Sequence, residues 1–188
     1  ALVLESDADL EGLPESVRHG VTTVRGVPLA SQVLASSEQK RSAANEIVAP
    51  RMCNYQYFGT GWGKPAPDTP ETAREYIRWA ASQGIDGLKL GSFRPEIMGA
   101  LLDEAKKLGL GSVAHLGQEG VAQMNAIDAA RLGLGTVTHF YGHLESLLKD
   151  YVVQPWPVNQ NNNDEYQRFG QVARLWDKIH PQGSPEWK

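Results

Sequence analysis

Three chemically capable residues close three similar stretches: Lys89 in GLKLGS, His115 in SVAHLG and His139 in TVTHFYG. Lys89 to His115 is 26 residues and His115 to His139 is 24, close to one strand-plus-helix unit each. Successive βα units would therefore deliver one side chain apiece to the same rim of a parallel sheet. That rim, at the carboxyl ends of the strands, is where ligands and catalytic groups of such folds collect. Lys89 lies among Ile85, Leu88 and Leu90, and a lysine is seldom buried unless it is paired or neutralised. Three readings fit it. The amine snorkels to water or pairs with a carboxylate; it is a Schiff-base nucleophile; or carbon dioxide has converted it to a carbamate, an anionic oxygen ligand for metal. Neutral imidazole is a good zinc ligand. Only a neutral amine attacks carbon dioxide, and apolar surroundings favour the neutral form. The third reading uses both histidines, whereas the second leaves them without a role.

Alternating elements must position these residues. Val21–Arg25, Arg51–Phe58, GIDGLKL, LGLGSVAHLG and LGTVTHFYG read as five short strands, rich in β-branched and aromatic residues or bounded by glycine. Between them helices are predicted over Pro28–Asn45, over Glu71–Ser82 with Thr69 as cap and Pro70 in the first turn, over Pro95–Leu108 and over Val121–Leu132. The third of these carries Ile97, Leu101, Leu102, Ala105 and Leu108 on one side. A further helix is expected over Leu10–Arg18, with Pro14 in its first turn, and Ala1–Asp9 is too short to assign. This order predicts an α/β fold with a parallel sheet. After Tyr141 the pattern changes to a short helix over Leu144–Tyr151 and a proline- and asparagine-rich, lid-like loop over 151–165. A last helix follows, striped by Phe169, Val172, Ala173, Trp176 and Ile179, with His180 at its end beside the helix dipole.

The 188 residues, 41% of them hydrophobic, suffice for a sizeable core in one domain or part of one. A net charge of −4 without a basic run leaves no electrostatic footprint for nucleic acid. No apolar stretch reaches the roughly 18 to 20 residues of a membrane helix, so neither nucleic acid nor membrane is expected as a partner. A small polar or zwitterionic substrate suits the composition, and homo-oligomerisation is left open. The single Cys53, in MCNYQYF, excludes an internal disulfide and reads as a buried structural thiol.

In order, these stretches resemble the metal-dependent amidohydrolase superfamily, in particular its imidazolonepropionase-like and prolidase-like members. GVTTVRGV is similar to that family's second barrel strand, GIDGLKL to the fourth with its carboxylated lysine, SVAHLG to the fifth and TVTHFYG to the sixth. The resemblance covers about Gly20 to Gly142. It implies a (β/α)8 TIM barrel, of which about five βα units are present, and hydrolysis of amide or other C–N bonds. It also implies one or two divalent ions, zinc foremost, on Lys89, His115 and His139. The family's His-x-His pair on strand one and aspartate after strand eight have no counterpart here; Asp150 and Asp164 follow the sixth strand too closely. Residues 1–188 are accordingly expected to be a partial barrel domain covering strands two to six, and no catalytic proton shuttle is assigned. The alternatives are a class I Schiff-base aldolase using Lys89, whose lysine strand GIDGLKLGS also resembles, and a non-catalytic barrel fragment. Tyr141 beyond the sixth strand, Arg25 as a bidentate carboxylate partner, and His143 are the candidates for substrate contact, with Trp62 as either a contact or a packing residue.

Overall fold

The computed structural model describes residues 2–4, 13–26, 32–117, 123–139, 141–143 and 145–147, with single residues at 159, 161, 164, 166, 167, 170 and 174. The elements are β1 (Leu2–Leu4), α1 (Leu13–Arg18), β2 (Thr23–Gly26), α2 (Gln32–Ala43), β3 (Arg51–Tyr57), α3 (Pro70–Ser82), β4 (Gly87–Leu90), α4 (Pro95–Lys107), β5 (Gly111–Ala114), α5 (Ala126–Arg131) and β6 (Thr136–Val137). A 3-10 turn follows over Glu145–Leu147. The strands form one sheet in the order β1-β2-β3-β4-β5-β6, and every neighbouring pair is parallel. This is the α/β alternation expected from the sequence, and it matches an incomplete TIM-like barrel. One strand was not anticipated: β1 pairs with β2, Leu2 opposite Val24. The position before the second strand is thus filled, and by an apolar LVL rather than a histidine pair.

The helices begin where local chemistry starts them. At α3, Thr69 Oγ1 accepts from Thr72 N and Thr72 Oγ1 accepts from Thr69 N, both at 3.1 Å. Pro70 then occupies a position with no amide to satisfy. At α5, Asn125 and Asp128 make the same reciprocal pair at 3.0 and 3.3 Å. This cap sets the helix start at Ala126, five residues after the expected Val121. Leu108 also departs from expectation: it caps α4 rather than extending it, and it is 44% exposed. Predicted elements within 148–188 lie outside the described residues, apart from the isolated positions.

The inward faces of α3 and α4 make the core. Ala73, Tyr76, Ile77 and Ala80 of α3 meet Ile97, Met98, Leu101, Leu102 and Ala105 of α4 in one cluster that includes Leu88 and Leu90 of β4. Each large side chain buried there contributes about 1.5 to 3 kcal/mol. Just before β4, Asp86 Oδ2 accepts from Asn54 N in the middle of β3 and from Gln39 Nε2 of α2, both at 2.6 Å. That clamp joins α2, β3 and the start of β4 at the rim opposite the site. Cys53 on β3 is half-buried rather than fully buried, because it lies on the face that the helices do not cover.

The sheet is curled, and one bond measures the curl. Arg25 Nη1 on β2 donates to Thr136 Oγ1 on β6 at 3.3 Å. In a flat sheet those strands, four spacings apart, would be about 19 Å from one another, beyond the joint reach of the two side chains. Beneath this bond the Tyr55 ring lies across the glycines that open β4 and β5. A Cβ on Gly87 would come within 2.6 Å of both the Tyr55 ring and Gly111 O, and one on Gly111 would collide with Tyr55 Oη. These two glycines are strand residues that admit a ring, not turn residues. Among the described residues, no helix is long and apolar enough to cross a membrane.

Curling predicts energetic coupling between residues 111 positions apart. In a double-mutant cycle of Arg25→Met and Thr136→Val, denaturant unfolding should give a coupling of about 0.5 to 1.5 kcal/mol. A coupling within error of zero would contradict the curled arrangement.

Candidate functional site

Side-chain parity aims the lysine. Leu88 and Leu90 pack into the helix-side core, so Lys89 between them points to the concave face. There it sits 5% exposed, in register with Tyr57 on β3 and Val113 on β5. On β5, Ala114 and Leu116 belong to the helix-side core, which turns Val113 and His115 inward with Lys89. His115 lies one residue beyond its strand and still donates its backbone amide to Leu90 O at 2.9 Å. Lys89 and His115 line one pocket of about 290 Å³ at the carboxyl ends of β3, β4 and β5.

His139, which is exposed and does not line this pocket, comes beside His115 by a different route. On β6, Val137 packs against the core, so strict alternation would send residue 139 outward with it. His139 instead adopts a left-handed backbone, φ 64°, a conformation uncommon for a non-glycine residue and one that accumulates at functional sites. Its ring then stands 4.7 Å from that of His115, at 68°. Tyr141 is buried and completes the group, with its ring 5.0 Å from His115 and 6.4 Å from His139. Two imidazoles on a single tetrahedral zinc, with Zn–N near 2.0 to 2.1 Å, place their centroids about 5 Å apart. A separation of 4.7 Å is also an ordinary edge-on ring contact, and among the described residues no group of three His, Cys, Asp or Glu side chains could hold a metal. Beside His115, Ser92 Oγ is buried and has no hydrogen-bond partner among the described residues. It and His115 Nε2 both lie within 4 Å of the space above Gly117. Unsatisfied buried hydroxyls cost free energy unless a ligand or water meets them.

The other candidates are placed apart from this group. Arg25 is engaged with Thr136 and lies over the Tyr55 ring at 5.4 Å, and its Nε is buried without a partner among the described residues. His143 is exposed in the turn at 141–143, where its carbonyl accepts from Ser146 Oγ. Trp62 is a packing residue: its ring meets Tyr76 edge-on at 5.3 Å and its Nε1 donates to Pro65 O at 3.1 Å. Sequence reasoning missed Tyr57, Phe58 and Phe93 in the pocket wall. Tyr57 ends β3 just as Lys89 nears the end of β4, so the spacing argument used for the histidines would have found it. Glu145 was missed as well. It is 2% exposed and its Oε2 accepts from Gly142 N at 2.8 Å, which holds the turn behind Tyr141.

No family model matches the sequence, and no curated protein matches it. Among solved structures, the chain is similar to a Xaa-Pro dipeptidase with methionine bound in its active site. The TM-score is 0.54 and the identity 18%, over 72% of this chain and 44% of that one. The chain therefore spans less than half the length of that dipeptidase, and the likeness is one of fold. A native KDPGal structure also matches, at 10% identity over 95% of this chain and 94% of that one, but with a TM-score of 0.40 from which nothing follows.

One buried phenol supports the pocket from behind. Tyr76 Oη shares its one proton between Tyr57 O at 2.7 Å and Thr60 O at 3.1 Å, and burial pushes its pKa from 10.0 up to about 12. Tyr76→Phe should cost about 1 to 2 kcal/mol of stability. A raised folded-state pKa contributes stability that is complete below the unfolded value and lost as pH climbs toward the folded one. The wild-type advantage over Tyr76→Phe should thus be constant below about pH 10 and shrink as the pH approaches 12, as guanidinium melts across that range would show.

Proposed function

We propose that this chain carries the central part of a metal-dependent hydrolase acting on amide or other C–N bonds, of peptidase or cyclic-amidase type. The observation that carries the reading is the His115–His139 ring pair, 4.7 Å apart, with the buried Lys89 in the pocket that His115 also lines. Lys89 as a carbamate, His115 and His139 would hold a divalent ion, zinc foremost. In carbamate formation the neutral Nζ attacks carbon dioxide: the N–C bond forms, one C=O electron pair becomes the carboxylate, and a proton leaves the nitrogen for water. The bound ion supplies Lewis-acid polarisation of a carbonyl and activates water at neutral pH. The left-handed turn at His139 directs its ring toward His115, and Tyr141 packs against both rings. The substrate is a small molecule, with Tyr141, Arg25 and His143 as candidate contacts. A second ion would draw on further ligands supplied from a longer chain, and the strand before β2, being the apolar Leu2–Leu4, does not carry them.

The Schiff-base reading rests on the same buried amine. It gives no purpose to the pairing of His115 with His139, and for that reason it ranks second. Borohydride reduction in the presence of a carbonyl substrate separates the two, because only a Schiff base leaves a covalent adduct on Lys89.

The 188-residue chain alone should bind zinc weakly and show no measurable amide hydrolysis, whereas a longer chain carrying the further ligands should bind tightly and turn over. In that longer chain Lys89→Ala should abolish hydrolysis, and a short acid such as propionate should restore part of it by standing in for the carbamate. Lys89→Arg should be inactive with or without propionate, since a guanidinium keeps its charge and forms no carbamate. Full activity of Lys89→Arg after metal removal would overturn the reading.

A further inference from the structure

Gly91 lines the pocket beside Lys89 and His115, yet neither of the usual reasons for a glycine applies to it. Its backbone is not in the left-handed region, and a Cβ built on it would meet nothing within 4 Å among the described residues. The contrast with Gly87 and Gly111, where a Cβ has no room, is sharp. A glycine required by neither conformation nor packing leaves space for something outside the chain, a ligand approaching the backbone. The rest of the wall states what kind of group that is. Phe58 and Phe93 meet edge to face at 4.9 Å, and Phe58 is braced against Tyr76 at 5.0 Å. Tyr57 continues the surface. Rings held in this way form a rigid apolar wall that loses little conformational entropy on binding. The size follows from the volume. An apolar cavity of about 150 Å³ accepts benzene, and the pocket at about 290 Å³ has room for one ring together with the amide that bears it.

We propose that this pocket selects small amides bearing a bulky apolar, ring-sized side chain, and that Gly91 sets the size limit. As a statement about substrates it rests on the hydrolase reading above; as a statement about binding it does not. A β-branched side chain at 91 would fill the volume that the ligand ring takes, without opening a cavity in the core.

The test titrates the metal-free 188-residue chain with N-acetyl-L-phenylalanine amide and with N-acetylglycine amide, following NMR shifts. The phenylalanine probe should bind at least about tenfold tighter, as expected for partial burial of one aromatic side chain. Gly91→Val should reduce that ratio to near one while leaving the melting temperature and spectral dispersion unchanged, and Phe93→Ala should lower it by a smaller factor. Equal affinities in the wild type, or an undiminished ratio in Gly91→Val, would overturn the proposal. So would unfolding of Gly91→Ala, because the space at residue 91 would then not be open. Selective binding here, combined with no hydrolysis of either amide by a metal-loaded longer chain, would count against the hydrolase reading and leave the pocket assignment standing. Hydrolysis of both amides at one rate would do the reverse.

Discussion

Everything at the site depends on the parity of β4. Leu88 and Leu90 are committed to the helix layer by their contacts with α3 and α4, and that commitment forces Lys89 onto the concave face. Sliding the strand by one residue would bury two leucine positions against polar partners and hand the lysine to the core. The core thus does more than stabilise: it fixes which face carries the amine. The same logic turns Val113 and His115 inward on β5, and the pocket at the carboxyl ends follows from these adjacent strands sharing one register.

His139 is where regularity gives way to geometry of another kind. Continued alternation on β6 would carry it away from His115, and the left-handed residue brings it back. Histidine has none of glycine's freedom at φ 64°, so the surrounding structure must hold that conformation. Thr138 does part of this, with its amide and its Oγ1 both donating to Ala114 O at 2.8 and 3.2 Å. The buried Tyr141 behind the two imidazoles and the Glu145 carboxylate bonded to Gly142 N close the turn from the other side.

The α/β alternation was legible because the helices are amphipathic and capped. Thr69-Pro70 and the Ala73, Tyr76, Ile77, Ala80 face could be read directly from the sequence. The strands were legible as runs but not in their limits, since β6 is only two residues long and the histidines that mattered lie just past β5 and β6. The strand Leu2–Leu4 was not assignable because three apolar residues carry no periodicity of their own, and its existence depends on pairing with β2. Spacing indicated that Lys89, His115 and His139 share a rim. It gave no hint that His139 arrives there through a left-handed residue, nor that Arg25 spans the interior to Thr136. Neither feature leaves a local sequence signature: the first depends on contacts with Ala114 and the turn that Glu145 holds, the second on curvature that joins residues 111 positions apart.

The central claim is that Lys89, His115 and His139 act on one ion. Its most direct test is a zinc titration of the chain followed through the imidazole nitrogens of 15N-histidine, with and without bicarbonate. His115 and His139 should shift together along one binding curve, and bicarbonate should tighten that curve in the wild type but not in Lys89→Arg. Separate curves for the two histidines, or a bicarbonate effect that survives Lys89→Arg, would contradict it.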